Sequence, residues 1–289
     1  MKNLLYFIFL FFVLVVFVTP AKAVQDTNEL YQLYCPREPY DLTNIFSRGV
    51  QHVTGLNLIA SKVAESQIEK TIKSFAQGDI DVDVKSFSAT DAKNGRFRSF
   101  TIKGKDIDFY SVYISEFKAK TACNFIYLDL EKDPVELKEP MAIDFEAKFD
   151  EKDMNNMLRS ITYNKYMLTV KYSSKSLKLL ELKRPRVSLK NNKFNFAVDV
   201  RIPFITSFTL KMDSGLKVAN NKIKIDNMHI GSASKTMDIS LVKYFMNVLN
   251  PLWFAQLNLQ EHNCKFILKN VKIENEKIVV SGTVFLGRS

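Results

Sequence analysis

The chain opens on an unbroken apolar run, Leu4 to Val18, fifteen residues that follow Lys2 and lead into Pro20-Ala21-Lys22-Ala23. A positive start, a short apolar stretch and a small-x-small site form the layout of a secretory signal peptide. A permanent membrane span needs about 20 apolar residues, so an uncleaved anchor is the weaker reading and cleavage after Ala23 is expected. Residues 1–23 are then the signal peptide, 24–40 a polar, extended arm with Pro36 and Pro39, and 41–289 one folded unit. The mature protein is expected outside the cytoplasm, in the periplasm or on the extracellular side of the cell envelope.

From Leu42 the apolar period becomes helical. Leu42, Phe46, Val50, Val53, Leu56, Ala60, Val63, Ala64, Ile68, Ile72 and Phe75 recur in steps of three and four, predicting an amphipathic helix that Gly49 and Gly55 can divide. A second helical stripe, Met237, Leu241, Tyr244, Phe245, Val248 and Leu249, starts near Thr236 and stops at Pro251. Between them Met154, Met157 and Leu158 mark a short helix over residues 150–160, with Asp150 as its cap.

Almost everything else alternates. Ile80, Val82 and Val84 oppose Asp79, Asp81, Asp83 and Lys85, and Asn94-Gly95 supplies a turn before a strand from Phe97 to Lys103. Further strands are predicted at 109–119, 122–130, 141–149, 165–172, 177–182, 186–190, 193–202, 205–212, 215–219 and 222–229. A hairpin closes the chain, Cys264 to Ile273 and Lys277 to Phe285, around Asn275-Glu276. Short alternating strands with turns between them pair antiparallel. The class is α+β, with long amphipathic helices on a strongly curved, mainly antiparallel sheet in a single elongated domain.

Composition narrows the chemistry. The 289 residues are 46% apolar and 25% charged, enough for a core and too complex for wholesale disorder. Lys and Arg exceed Asp and Glu by 41 to 31. Loss of residues 1–23 removes two lysines and leaves +8. The sequence has no GxSxG elbow, P-loop, CxxC or HExxH, and His52, His229 and His262 are scattered, so neither catalysis nor a metal or other cofactor is predicted. Asp79, Asp81 and Asp83 share one strand face, where a solvated surface is the better reading than a cation site. Cys35, Cys123 and Cys264 allow at most one internal bridge. Cys123 and Cys264 sit in strand-like sequence as ordinary buried thiols, and Cys35 is expected exposed in the arm.

Two sets of residues are candidates for binding. Phe194, Phe196, Val198, Met228, Phe245, Leu249, Trp253 and Phe254, with Met246, either pack a dry core or line a cavity for acyl chains, the core being favoured residue by residue. Lys183, Arg184 and Arg186, with Lys190 close by, form a basic cluster that outside the cytoplasm suits an anionic lipid headgroup or membrane surface better than nucleic acid. The plainer alternative is that such lysines merely guard a sheet edge.

The order of motifs resembles the LmeA-like phospholipid-binding family, a tubular lipid-binding (TULIP-like) fold, over roughly Leu56 to Gly287. The pieces are the helix with Glu65 and Ile68, the strand Asp79 to Phe87, and Pro140-Met-Ala-Ile-Asp-Phe-Glu-Ala-Lys-Phe149 running into Asp150 to Leu158. Leu249-Asn-Pro-Leu252 and the hairpin Leu268 to Gly282 complete the match. The resemblance implies an exported or membrane-tethered protein that binds phospholipid and carries no catalytic residues. The alternative expectation is a scaffolding envelope protein with a filled core.

Overall fold

Asparagine sets many of the strand connections. Asn191-Asn192, Asn220-Asn221 and Asn275-Glu276 all adopt positive φ, the left-handed backbone that tight hairpins require and that Asn tolerates well among residues with a side chain. They join β7 (Glu181–Lys190) to β8 (Lys193–Ile202), β9 (Thr206–Ala219) to β10 (Lys222–Ile230), and β11 (Cys264–Glu274) to β12 (Lys277–Leu286). The computed structural model describes residues 27–35, 42–44, 48–49, 56–133, 135–173, 181–202, 206–231, 246, 249–252, 254–255 and 264–287.

The first half of the chain supplies α1 (Thr27–Tyr34), α2 (Leu56–Lys73), β1 (Gln77–Ser86), α3 (Ala89–Lys93), β2 (Arg96–Phe109), β3 (Val112–Thr121), β4 (Ile126–Asp129), β5 (Glu136–Leu137) and β6 (Met141–Phe149). Helices α4 (Glu151–Arg159) and α5 (Ile161–Ser173) follow. An eight-stranded sheet runs β11-β12-β6-β3-β2-β4-β5, with β1 on β2, and a four-stranded sheet runs β10-β9-β8-β7. Every strand pair is antiparallel. The protein is thus an α+β fold of mainly antiparallel sheet with a few helices.

Helix α2 runs along the free edge of β1. The Glu65 carboxylate accepts the Val84 amide at 3.1 Å, and Ser61 and Ser86 exchange a hydroxyl contact at 3.1 Å. An edge amide that would otherwise be buried without a partner is satisfied from the helix. Helix α1 lies on the outer face of β6 and β12. Its Tyr31 and Tyr34 rings meet Phe285 edge-on at 5.3 Å, and Tyr31 also contacts Asp144 and Thr283. Asp150 caps α4 reciprocally with Asp153, as the sequence predicts.

Several expectations are corrected. Neither sheet is strongly curled, and no long amphipathic helix is found among the described residues. A dozen strands in one open sheet would have to curl or split, and here they divide eight and four. Of the helix predicted from Leu42, residues 42–44 are not helical, and Thr43 donates its amide and hydroxyl to Asp91 at 3.0 and 2.8 Å; Arg48 and Gly49 are helical, and α2 runs from Leu56. Its stripe is also imperfect: Ala64 and Ile68 are buried, while Val63 is exposed.

Residues 165–172, predicted as a strand, belong to α5. Their aromatic and β-branched composition favours strand, but Tyr163, Tyr166 and Met167 at helical spacing find the core and decide the matter. The strands predicted at 205–212 and 215–219 are one strand, β9. Residues 186–190 belong to a strand that already starts at Glu181 and passes through Pro185. That proline is tolerated because β7 is an edge strand and its register shifts between Lys183 and Arg186.

Residues 27–34 form α1 rather than an extended arm, and Cys35 is bonded to Cys123 instead of being a free exposed thiol. The bridge ties the end of α1 to the loop that follows β3. The predicted signal peptide, and most of the helix expected from Thr236, lie outside the described residues. No helix among the described residues is long and apolar enough to cross a membrane.

Candidate functional site

Alternation along the central strands sends one side chain to each face in turn, and where the pairing of β2 with β3 skips Asp106, at positive φ, and Ser115, the parity switches. On the inner face of the eight-stranded sheet, β2 presents Ile102, Gly104, Ile107 and Phe109, β3 presents Val112, Ile114 and Phe117, and β6 presents Phe145, Ala147 and Phe149. Ile80 of β1, Leu268 of β11 and Val280 and Val284 of β12 continue the surface. Opposite it stand Ile72, Phe75 and Ala76 at the end of α2, Ile223 of the second sheet, and Leu252 and Ala255. Between them lies a cavity of about 300 Å³. None of these twenty lining residues carries a polar side chain.

Polar groups just behind the wall fix its position. Asn250 breaks the helical backbone before Pro251, as a residue preceding proline should. Its side-chain carbonyl then accepts the Leu252 amide at 3.1 Å as the cap of the next turn, and Pro251 occupies the first position of that turn. The same side chain donates to the Ile223 carbonyl at 3.4 Å. One buried amide thus links the two wall residues Ile223 and Leu252. Tyr163 of α5 donates its hydroxyl to the Leu249 carbonyl at 2.7 Å, and burial pushes its phenol far above the ordinary range. Phe254 meets the Tyr163 ring edge-on at 5.4 Å.

At the end of α2 Phe75 is partly exposed and touches Phe109 edge-on at 5.7 Å. Gly104 has no side chain because none fits cheaply: a Cβ there would lie 2.8 Å from Ile107.

The residues singled out from the sequence are placed elsewhere. Phe194, Phe196 and Val198 are buried on one face of β8, the two rings stacked at 6.5 Å, and they fill core instead of lining the cavity. Leu249 and Phe254 are buried immediately behind the wall, and Met228 is half-buried against the core. Phe245 and Trp253 lie outside the described residues. Lys183, Arg184 and Arg186 are on β7 of the four-stranded sheet, paired with Glu181 and Asp199. None of the three borders the cavity.

Alternation alone does not give the lining: Ile102 and Ile107, and Ile114 and Phe117, differ in parity and share a face only because the pairing skips Asp106 and Ser115. Nothing local distinguishes a strand face that meets a void from one that meets a helix.

What the geometry defines is an α+β protein whose central sheet faces a cavity with apolar side chains at every described lining position. A family described as LmeA-like phospholipid-binding matches residues 55–283, most of the chain, and the protein belongs to that family. No curated protein and no solved structure matches it significantly. The family is a lipid-binding one, so the resemblance seen in the sequence holds.

Proposed function

We propose that this protein is exported to the cell envelope and carries phospholipid there, without catalysis, by sheltering an acyl chain in the apolar cavity. The observation that carries the reading is the lining. A cavity of about 300 Å³ with no polar side chain among its described lining residues stays dry and accepts apolar guests, and its size sits at the small end of ligand sites. Each methylene withdrawn from water contributes about 0.8 kcal/mol, so a chain threaded past Phe75 gains several kcal/mol even when only part of it enters.

Family membership supplies the phospholipid, and the layout of residues 1–23 supplies the export. A scaffolding protein with a filled core is disfavoured by the void itself, since cores close on themselves when nothing is to be bound.

The test is native mass spectrometry of the protein purified from membranes, with uptake from phosphatidylcholine vesicles as a second measurement. Bound phospholipid at about one per chain is expected. Repeated isolation of an empty chain that extracts nothing from vesicles would overturn the reading.

A further inference from the structure

The face of the eight-stranded sheet turned away from the cavity is charged where α1 leaves it open. There Lys85, Arg98, Lys103, Lys118 and Lys120, with Lys62 of α2, line an open basin of about 740 Å³. Asp81 and Asp83 line it too, so six basic groups meet two acidic ones. Glu65 holds Lys62 at 2.6 Å, and Glu146 stands across from Lys118 in the register. Asp144, across from Lys120, is held by Lys269 at 2.8 Å, so seven bases against five acids leave +2.

The five sheet cations form no ion pair with any described residue. Like-charge rungs recur on the four-stranded sheet, Lys190 opposite Lys193 and Lys217 opposite Lys224, but there and at Glu116 ion pairs form. Lys148 and Lys277 both hold Glu116, Lys193 holds Asp213, and Lys217 holds Asp226, each within 3 Å. In the basin, Lys103 of β2 is directly opposite Lys118 of β3. Like charges so placed cost stability, and the acids across from them on their other sides, Asp81 for Lys103 and Glu146 for Lys118, form no ion pair with them.

A second feature adjoins the first. Leu58, Ile59 and Val63 of α2 are 73%, 66% and 55% exposed. Helical geometry puts them on the same outward arc as Lys62. Apolar side chains bordering a cationic basin are the composition of a surface that sits in a membrane interface, with its apolar side chains among the acyl chains and its cations on phosphates. A nucleic acid or an acidic peptide would use the cations and leave the apolar trio in water. The overall excess of base, 41 to 31, has the same sign.

We propose that this face, the basin of β1 to β3 together with the outward arc of α2, docks the protein on an anionic lipid bilayer. Helix α2 joins the two functions. Its start carries the apolar trio, and its far end, about 26 Å along the axis, carries Ile72 and Phe75 of the cavity wall. Docking is separable from acyl-chain binding, because the two use opposite faces of the same strands.

The experiment is co-sedimentation with vesicles of phosphatidylcholine alone and with added phosphatidylglycerol, at low and high salt. Binding is expected only with phosphatidylglycerol, weakening as salt rises. K103E/K118E/K120E should weaken it about a hundredfold, and the milder K103Q/K118Q/K120Q should weaken it less while retaining the wild-type circular dichroism. L58S/I59S/V63S should weaken it while preserving the salt dependence. K183E/R184E/R186E on the other sheet should change nothing.

Lipid occupancy by native mass spectrometry reads the cavity separately and should survive the basin substitutions. Equal binding to neutral vesicles, indifference to the basin variants, or binding of inorganic phosphate without binding of vesicles would each overturn the docking proposal. An empty cavity in a protein that still docks would overturn only the carrier reading.

Discussion

The Tyr163 hydroxyl donates a 2.7 Å hydrogen bond to the Leu249 carbonyl, with both residues buried. It anchors α5 to the segment whose next residues, Leu252 and Ala255, close the cavity. Tyr163→Phe keeps the ring packed against Phe254 and strands the carbonyl without a partner. A loss of about 1–3 kcal/mol is expected in urea unfolding. An unchanged midpoint would show that the carbonyl finds another donor.

Asn250 makes the companion link between Ile223 and Leu252. Asn250→Leu removes both bonds in a site that is 1% exposed and should cost a similar about 1–3 kcal/mol. Because the wall itself loosens, bound lipid should also exchange faster in a vesicle transfer assay. Stability lost without any change in exchange would mean that the wall is held elsewhere.

Ala147 is buried on the cavity wall. Ala147→Phe places a ring in a space of about 300 Å³, where filling a void is tolerated better than overfilling a packed core. Lipid uptake should fall sharply while the melting temperature moves little. Undiminished uptake would place the acyl chain somewhere other than this cavity.

The Cys35–Cys123 bridge closes a loop of 88 residues. Its loss releases chain entropy in the unfolded state worth about 4 kcal/mol. Cys123→Ser, or reduction of the wild-type protein, should lower the unfolding midpoint and expose α1 to limited proteolysis. Protection of α1 that survives reduction would assign the docking to Tyr31, Tyr34 and Phe285 alone.

Hydrogen bonds from Lys148 and Lys277 hold the Glu116 carboxyl at about 2, down from 4.5. A folded-state value below the ordinary one means that the pairing stabilises above pH 4.5 and that this contribution is lost as the pH falls toward 2. The groups are partly exposed, so salt should weaken the effect. Carboxyl titration by NMR should give a midpoint near 2 that rises toward 4.5 in the Lys148→Ala/Lys277→Ala protein. A midpoint unmoved by those substitutions would show that neither lysine sets it.

Motif residues were the part of the sequence that translated most directly into structure. Glu65 stood out only as a piece of the family resemblance, and it proves to satisfy the edge amide of Val84. Leu249-Asn-Pro-Leu252 was noticeable as a helix stop, and Asn250 proves to clamp the cavity wall. Gly282 closes the matched hairpin because a Cβ there would lie 2.4 Å from the Ile267 carbonyl oxygen. Each of these is a local requirement of backbone or cap, and local requirements leave marks on residue type.

The binding residues left no such mark. Phe194 and Phe196 are as aromatic as Phe109 and Phe117, yet the first pair fills core and the second borders a void. Lys183 and Arg184 are as basic as Lys118 and Lys120, yet the first pair forms ion pairs and the second forms none with a described residue.

By itself the sequence determined the α+β class, the antiparallel pairing, the turn of the closing hairpin and the family, because alternation, turn chemistry and capping act over a few residues. Only the tertiary structure decided where the strands divide into two sheets, that residues 165–172 are helical, that Cys35 meets Cys123, and which apolar face is left uncovered. Those outcomes depend on contacts between segments far apart in the chain, and burial is indifferent to which apolar residue supplies it.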